Sequence, residues 1–580
     1  MVSDSTFHLQ EYELRINRTL ASLEKQGFSQ RFWARDVSLW RQGPNGDSVI
    51  RERLGWLDVF TKMRDQLPEI TGFVDDVRQS GYQCAILMGM GGSSLSPEVS
   101  QLTFGTSEGF LELIVLDSTV PSAVLDVERR IDGRKTLFIV STKSGGTVET
   151  ISAYQYFSQA SHLKQQPTAN DFVAITDPGT SLHQLAQEQG FKKVFLNPPD
   201  IGGRYSALSL FGLVPAGLIG VDLQALLDRA SQMAMRCGHD VQVTSNSAIL
   251  LGVVMAELAL LGRDKMTMVF SPEIGAFGSW VEQLVAESTG KNGRGILPVD
   301  SEPIMDADRY GDDRWLVYTR LASSANTELD TEILRLVDAG IPVVQIDITD
   351  KYDIGAEYLR WEIATAVASA LLGVNAFDQP NVQESKDNTD NLLKSFLKSG
   401  TLPHETPVLL GEGIQIYCDS KMKSELDSIR MTSQIAEDNV VANLKAFLSM
   451  HQPSNYIAIM AFLHRTATTD KLLQRIRQSI VNSLGASVTI GYGPRFLHST
   501  GQIHKGGPNS GLFIQFTSDD LEQVEIPGQA YSFSVLKQAQ AIGDATALRR
   551  TGRPLIRIHL QSDFEAALKK VAGWFEAATS

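Results

Sequence analysis

Apolar residues in the first eighty positions recur at helical spacing. Within residues 51–67 they fall at Trp56, Phe60, Met63 and Leu67, three and four apart, which predicts a helix inside a helical stretch spanning residues 8–80. The pattern then changes. Apolar runs at 85–88, 113–116, 137–140 and 172–175 recur at intervals of roughly 24 to 35 residues, each followed by a polar or glycine-rich turn and a helix-like segment. That alternation predicts a doubly wound parallel α/β sheet, whose ligands bind beyond the carboxyl ends of the strands. The loops at 89–96, 141–147 and 176–179 all fall at such ends. Further runs at 266–270, 315–319 and 342–346 predict a second α/β unit. A polar tract at 383–390 leads to a third region, with predicted strands at 408–410, 456–460, 487–490, 512–516 and 555–558 and a closing helix from Asp563. The expected fold is α/β: a helical segment (1–75), two doubly wound parallel-sheet domains (76–222 and 223–398) and a C-terminal α/β appendage (399–580).

Composition narrows the function classes. The 580 residues carry 52 Lys and Arg against 67 Asp and Glu, a net charge of −15, which argues against a nucleic-acid partner but not against a phosphorylated small molecule. Cys84, Cys237 and Cys418 are too few and too scattered for a disulfide framework or a structural zinc site. The N-terminal residues Met1, Val2, Ser3, Asp4 and Ser5 lack the basic start of a signal peptide, and no run of 18 apolar residues predicts a membrane span. A cytoplasmic protein with no membrane partner, metal or cofactor is expected.

The candidate chemistry begins at residues 141–150, Ser-Thr-Lys-Ser-Gly-Gly-Thr-Val-Glu-Thr, directly after an apolar strand. Backbone N–H groups, the hydroxyls of Thr142, Ser144 and Thr147, and the positive end of a helix starting at Val148 together suit a phosphate. Lys143 either adds charge or is solvated. Residues 89–96, Gly-Met-Gly-Gly-Ser-Ser-Leu-Ser, match neither a dinucleotide fingerprint nor a Walker loop. They offer a close backbone approach to a polar ligand, with Ser93 capping and donating; the plainer reading is a tight strand–helix turn. Residues 200–206, Asp-Ile-Gly-Gly-Arg-Tyr-Ser, present Arg204 on a glycine turn, suited to a phosphate or an enediolate; the plainer reading is an arginine paired with a neighbouring aspartate. Residues 280–291 read as a helix running into a glycine turn. Gln283 and Glu287, four apart, share a face, and Glu287 beside apolar residues is a candidate general base with a raised pKa.

In this order and rough spacing, the segments at 89–97, 142–150, 202–206 and 287–291 resemble glucose-6-phosphate isomerases, and residues 377–386, Phe-Asp-Gln-Pro-Asn-Val-Gln-Glu-Ser-Lys, look like that family's C-terminal signature. The resemblance covers about residues 80–395 and implies two sugar-phosphate isomerase (SIS-type) domains acting on a hexose phosphate. It implies a phosphate pocket of Gly92, Ser93, Thr142, Lys143, Ser144 and Thr147. Arg204 would steady the enediol, Glu287 would shuttle a proton between C1 and C2, and Gln283 would be its polar neighbour. Gln379 would bind substrate and Lys386 would act near the ring oxygen. A homodimer is also implied.

The chain departs from the family at Asn381 and Gln383, where Gly and Glu are usual. No histidine lies between Glu287 and Lys386, where the ring-opening histidine is expected. The segment that resembles it comes later, with His498 favoured and His504 close behind. This order is similar to that of the isomerase half of transaldolase–isomerase fusions. Lys537 is a second lysine candidate, ranked below Lys386. The implied activity is interconversion of glucose 6-phosphate and fructose 6-phosphate. The alternatives are an isomerase that also accepts mannose 6-phosphate, through differences near Gln283 and Thr289, and a sugar-phosphate-binding regulator without turnover. An amino-sugar synthase would need a glutamine-hydrolysing module with an N-terminal cysteine, which the sequence does not show.

Overall fold

The computed structural model describes residues 4–41, 48–411, 413–433, 439–561 and 563–579; Met1, Val2 and Ser3 of the N-terminal reading lie outside them. The chain forms two compact units. The first comprises Met1–Asp117, Asp126–Ser301 and Arg314–Gln379; the second comprises Ser118–Leu125, Glu302–Asp313 and Pro380–Ser580.

The first unit contains two sheets and an N-terminal strand, β1 (Asp4–His8). One sheet is built from β2 (Cys84–Met88), β3 (Glu112–Leu116), β4 (Thr136–Ser141), β5 (Phe172–Thr176) and β6 (Lys193–Leu196), all parallel, in the order β3-β2-β4-β5-β6. Its central strands are buried along their whole length, as a sheet covered by helices on both faces requires. The other sheet is built from β7 (Lys265–Phe270), β8 (Leu297–Val299), β9 (Arg314–Leu321) and β10 (Val343–Ile348), in the order β8-β7-β9-β10, with β1 added antiparallel on β10. One apolar core runs through this unit, including Trp56, Trp280, Trp315 and Trp361.

The second unit holds a mixed sheet of β11 (Leu409–Gly411), β12 (Ile414–Tyr417), β13 (Tyr456–Phe462), β14 (Ser487–Tyr492), β15 (Gly511–Ser518) and β16 (Leu555–Leu560), with its own apolar core. Its four parallel strands run β14-β13-β15-β16. All three sheets therefore share one plan. The first parallel strand is central, the second lies on one side and the third and fourth lie on the other. The winding reverses between β2 and β4, between β7 and β9, and between β13 and β15. Such reversal points open a crevice at the strand ends.

Three local expectations change. Residues 51–67 do not form one helix: a turn at Gly55–Asp58 separates Ser48–Arg51 from Val59–Arg64. A Cβ at Gly55 would overlap the Asp200 carboxylate, and the Gly55 N–H donates to the Asp200 carbonyl at 2.8 Å, so a tertiary contact overrides helical periodicity there. The polar tract at 383–390 lies inside a helix, Pro380–Ser399, whose buried stripe is Val382, Ser385, Thr389 and Leu393. Finally, the helix Leu95–Phe104 is preceded by Ser94 at its cap position, not Ser93, and no side chain caps it.

Candidate active site

The two glycine-containing loops emerge side by side from β2 and β4, at the winding reversal of the first sheet. The Ser141 hydroxyl donates to the Ser93 carbonyl at 3.5 Å and ties them together. Thr142 and Thr147 share a hydroxyl–hydroxyl bond of 2.7 Å, while Ser144 is exposed at the loop tip. The helix Val148–Ser158 starts directly behind, so its free N–H groups and positive dipole end point out of this loop. Lys143 is not a freely solvated cation. Its ammonium binds the Asp177 carboxylate and donates to the Pro199 carbonyl at 2.9 Å. Burial lowers the Lys143 pKa and raises that of Asp177, each opposed by the other's charge.

Gly92 joins this loop to the arginine turn. A Cβ at position 92 would overlap the Gly203 carbonyl, so glycine alone lets the two backbones meet. Gly203–Tyr205 form a short 3-10 turn, and Tyr205 is locked by stacking on Trp56, with ring centroids 5.0 Å apart. Arg204 leaves that turn fully buried. Its Nε donates to the Ser288 hydroxyl at 2.8 Å, and Nη2 donates to the carbonyls of Ala376 and Asp378 at 2.6 and 2.9 Å. Nη1 donates to Gln379 Oε1 at 3.1 Å and stands 3.3 Å from Glu287 Oε1. The partner of Arg204 is thus a glutamate on another element, not the nearby Asp200.

Glu287 sits in the last turn of the helix Phe277–Thr289, with its side chain 9% exposed. Gln283, one turn earlier, donates to Glu287 Oε2 at 3.4 Å. Both contacts to the carboxylate are long, which leaves it positioned without being consumed by a tight ion pair. Thr289 spends its hydroxyl locally, donating to the Val285 carbonyl and accepting from the Ile296 N–H. The first unit holds Gly92, Ser93, Thr142, Lys143, Ser144, Thr147, Arg204, Gln283, Glu287 and Gln379.

Lys386, His498 and His504 belong to the second unit. Lys386 is exposed on the helix Pro380–Ser399. His498 is half-buried and ends a short turn that leaves the carboxyl end of β14. His504 is sealed in the core at 2% exposure, between Tyr456 and Phe513, and a ring nitrogen bonds the Tyr456 hydroxyl at 3.0 Å. Burial, with the charges of Lys505 and Arg553, drives its pKa well below the ordinary value. Lys537 is also buried, on Asp520 and the Ser518 carbonyl.

Three contacts escaped sequence reasoning. Lys291 pairs with Asp378 at 3.0 Å, Ser288 anchors Arg204, and Asn381 pairs with Gln502. The last is reciprocal: the Asn381 N–H donates to Gln502 Oε1 at 3.0 Å, and Gln502 Nε2 donates to Asn381 Oδ1 at 2.9 Å. This gives the departure at Asn381 a structural purpose, docking the first turn of the Lys386 helix on the Gly501–Gly506 helix just beyond His498. The departure itself was the one available signal. Gln383 is exposed and donates to Asp387 at 2.9 Å. Among the described residues no group of three or more His, Cys, Asp or Glu side chains could hold a metal ion, and no helix is long and apolar enough to cross a membrane.

The first unit thus combines parallel α/β sheets, paired loops at a winding reversal and an arginine-held carboxylate. The phosphoglucose isomerase family model matches residues 57–298. Through that region the chain is similar to glucose-6-phosphate isomerases. It is 27% identical over 378 residues to a probable glucose-6-phosphate isomerase of Methanococcus maripaludis, covering 59% of this chain and 84% of that protein. It is 26% identical over 348 residues to the glucose-6-phosphate isomerase of Methanocaldococcus jannaschii, covering 54% and 85%. Its fold is similar to the crystal structure of a glucose-6-phosphate isomerase from Chlamydia trachomatis, with TM-score 0.58, 18% identity and 68% and 89% of the two chains covered.

Proposed function

We propose that the chain interconverts glucose 6-phosphate and fructose 6-phosphate through a cis-enediol intermediate. The observation that carries this reading is the buried Arg204–Glu287 contact of 3.3 Å, in the same unit as the two phosphate-type loops. Donors from Gly92, Ser93, Thr142, Ser144 and Thr147 hold the phosphate away from the reacting carbons, and Lys143 braces that loop through Asp177. Glu287 takes the C2 proton of the open-chain aldose. The electron pair forms the C1–C2 double bond, and the carbonyl π pair moves to O1. Arg204 neutralises that oxyanion; O1 gains a proton, O2 loses one as the C2 carbonyl forms, and Glu287 returns its proton to C1. Gln283 and Gln379 keep the carboxylate and guanidinium in place.

Ring opening moves a proton from the anomeric hydroxyl to the ring oxygen, and falls to His498 with Lys386. The burial of His504 against Tyr456 supports a structural role for that histidine. The finer likeness, to the isomerase half of transaldolase fusions, rests on Lys386 preceding His498. A homodimer and a cytoplasmic location complete the reading; sedimentation of the full chain tests the first, and cell fractionation the second. The activity is tested with Glu287→Gln on fructose 6-phosphate. Turnover should fall about 10³-fold with folding intact, and an unchanged rate would overturn the assignment. A parallel assay on mannose 6-phosphate tests the broader isomerase, and saturable binding without turnover would instead favour a regulator.

A further inference from the structure

Behind the Arg204–Glu287 contact lies a charge that the proton transfer does not use. Lys291 lies two residues beyond the end of the helix that carries Glu287 and is 3% exposed. Its ammonium donates to the Ser288 carbonyl at 3.1 Å, binds the Asn375 carbonyl and pairs with Asp378 Oδ1 at 3.0 Å. One cation thus clamps the end of the base-bearing helix to the strip 375–378. The same strip supplies the Ala376 and Asp378 carbonyls that hold Arg204, and the next residue, Gln379, holds its Nη1.

We infer that Lys291 is a positioning residue for the isomerisation: it sets the separation of Glu287 and Arg204 by fixing the helix end against the strip that carries the arginine's acceptors. This rests on the isomerase reading of the site. The geometry favours a cation here, because three acceptors converge on one buried ammonium and an apolar side chain would satisfy none of them.

The clamp is sensitive to pH. The charged groups facing Lys291 are Arg204 from its turn, Glu287 from the helix that Lys291 follows and Asp378 from the strip. Arg294, paired with Lys291 through the backbone, turns its own guanidinium to the Leu372 carbonyl. Burial, then repulsion by Arg204, brings the Lys291 pKa down to about 7 against the pull of Asp378 and Glu287. The protonated clamp is therefore present below that pH and is lost as pH rises through it.

The experiment compares wild type, Lys291→Met and Lys291→Arg. At pH 6.5, Lys291→Met should lower kcat/KM for fructose 6-phosphate by tenfold or more, an effect on the order of that of a small misplacement of reacting groups, while competitive inhibition by inorganic phosphate changes less than about twofold. Lys291→Arg, which cannot lose its proton, should restore activity at pH 6.5 and remove an alkaline limb near pH 7 from the kcat/KM profile. Wild-type kcat/KM and pH profile in Lys291→Met, or an unaltered limb in Lys291→Arg, would overturn the proposal. A second readout needs no turnover. In protein labelled with 13C-lysine, one signal should titrate near pH 7, vanish in Lys291→Met and move lower in Asp378→Asn. Absence of that signal sinks the clamp, whereas its presence in a protein without isomerase activity would sink only the isomerase reading.

Discussion

Two buried ion pairs, one in each unit, show how differently a fold can treat opposite charges. Lys505 and Asp544 are both fully buried and tightly paired, linking the helices Gly501–Gly506 and Phe533–Arg550 inside the second unit. Arg204 and Glu287 are nearly as buried, yet stand 3.3 Å apart, with the arginine's better hydrogen bonds given to carbonyls and a hydroxyl. A tight pair commits its carboxylate to one cation. A loose one, with the guanidinium held by neutral acceptors, leaves the carboxylate able to take a proton. Burial of opposite charges alone therefore does not decide how a pair is used; the distribution of the remaining hydrogen bonds separates these two.

The comparison can be broken at either pair. Arg204→Lys should lower turnover about 10²- to 10³-fold, because an ammonium cannot meet Ser288, Gln379 and the two carbonyls at once. Its loss of unfolding free energy in urea should be smaller than that of Asp544→Ala. Asp544→Ala should do the reverse, costing about 3–5 kcal/mol in urea unfolding by stranding the Lys505 charge. Should Asp544→Ala keep full stability but lose turnover, the sealed pair would have a chemical role and the contrast would fail. His498→Asn should reduce turnover of ring-closed substrate by about 10²-fold, as expected for loss of one acid–base group, and His504→Asn should act through stability instead. The smallest effect is expected at Gln502→Ala: about 1–3 kcal/mol of unfolding free energy for leaving Asn381 unmatched, measured in the same titration.

Much of this arrangement was legible from the chain alone. Buried parallel strands advertise themselves as continuous apolar runs, so β2, β4, β5 and β13 stand out, and the glycine-rich loops mark their carboxyl ends. Local spacing also placed Gln283 and Glu287 on one helix face. Periodicity failed where a distant backbone intervened, as at Gly55 beneath Asp200. It failed too where polarity concealed a helix, since the Pro380–Ser399 helix buries only a narrow stripe. The strand β1 is too short and polar to declare itself, and forms only because β10 offers an edge. Contacts such as Lys291 with Asp378 join residues far apart in the chain, and no single-sequence pattern encodes them.

The touching backbones of Gly92 and Gly203 have one more consequence. On the proposed function, with no side chain between the Gly92 loop and the arginine turn, the span from the anchored end of a substrate to the guanidinium is a fixed ruler, graduated in carbon atoms. A sugar phosphate one carbon short, gripped at the same mark, would present the wrong bond to Glu287. Selection by length is then built into main chain, where point mutation can damage the gauge but cannot easily recalibrate it.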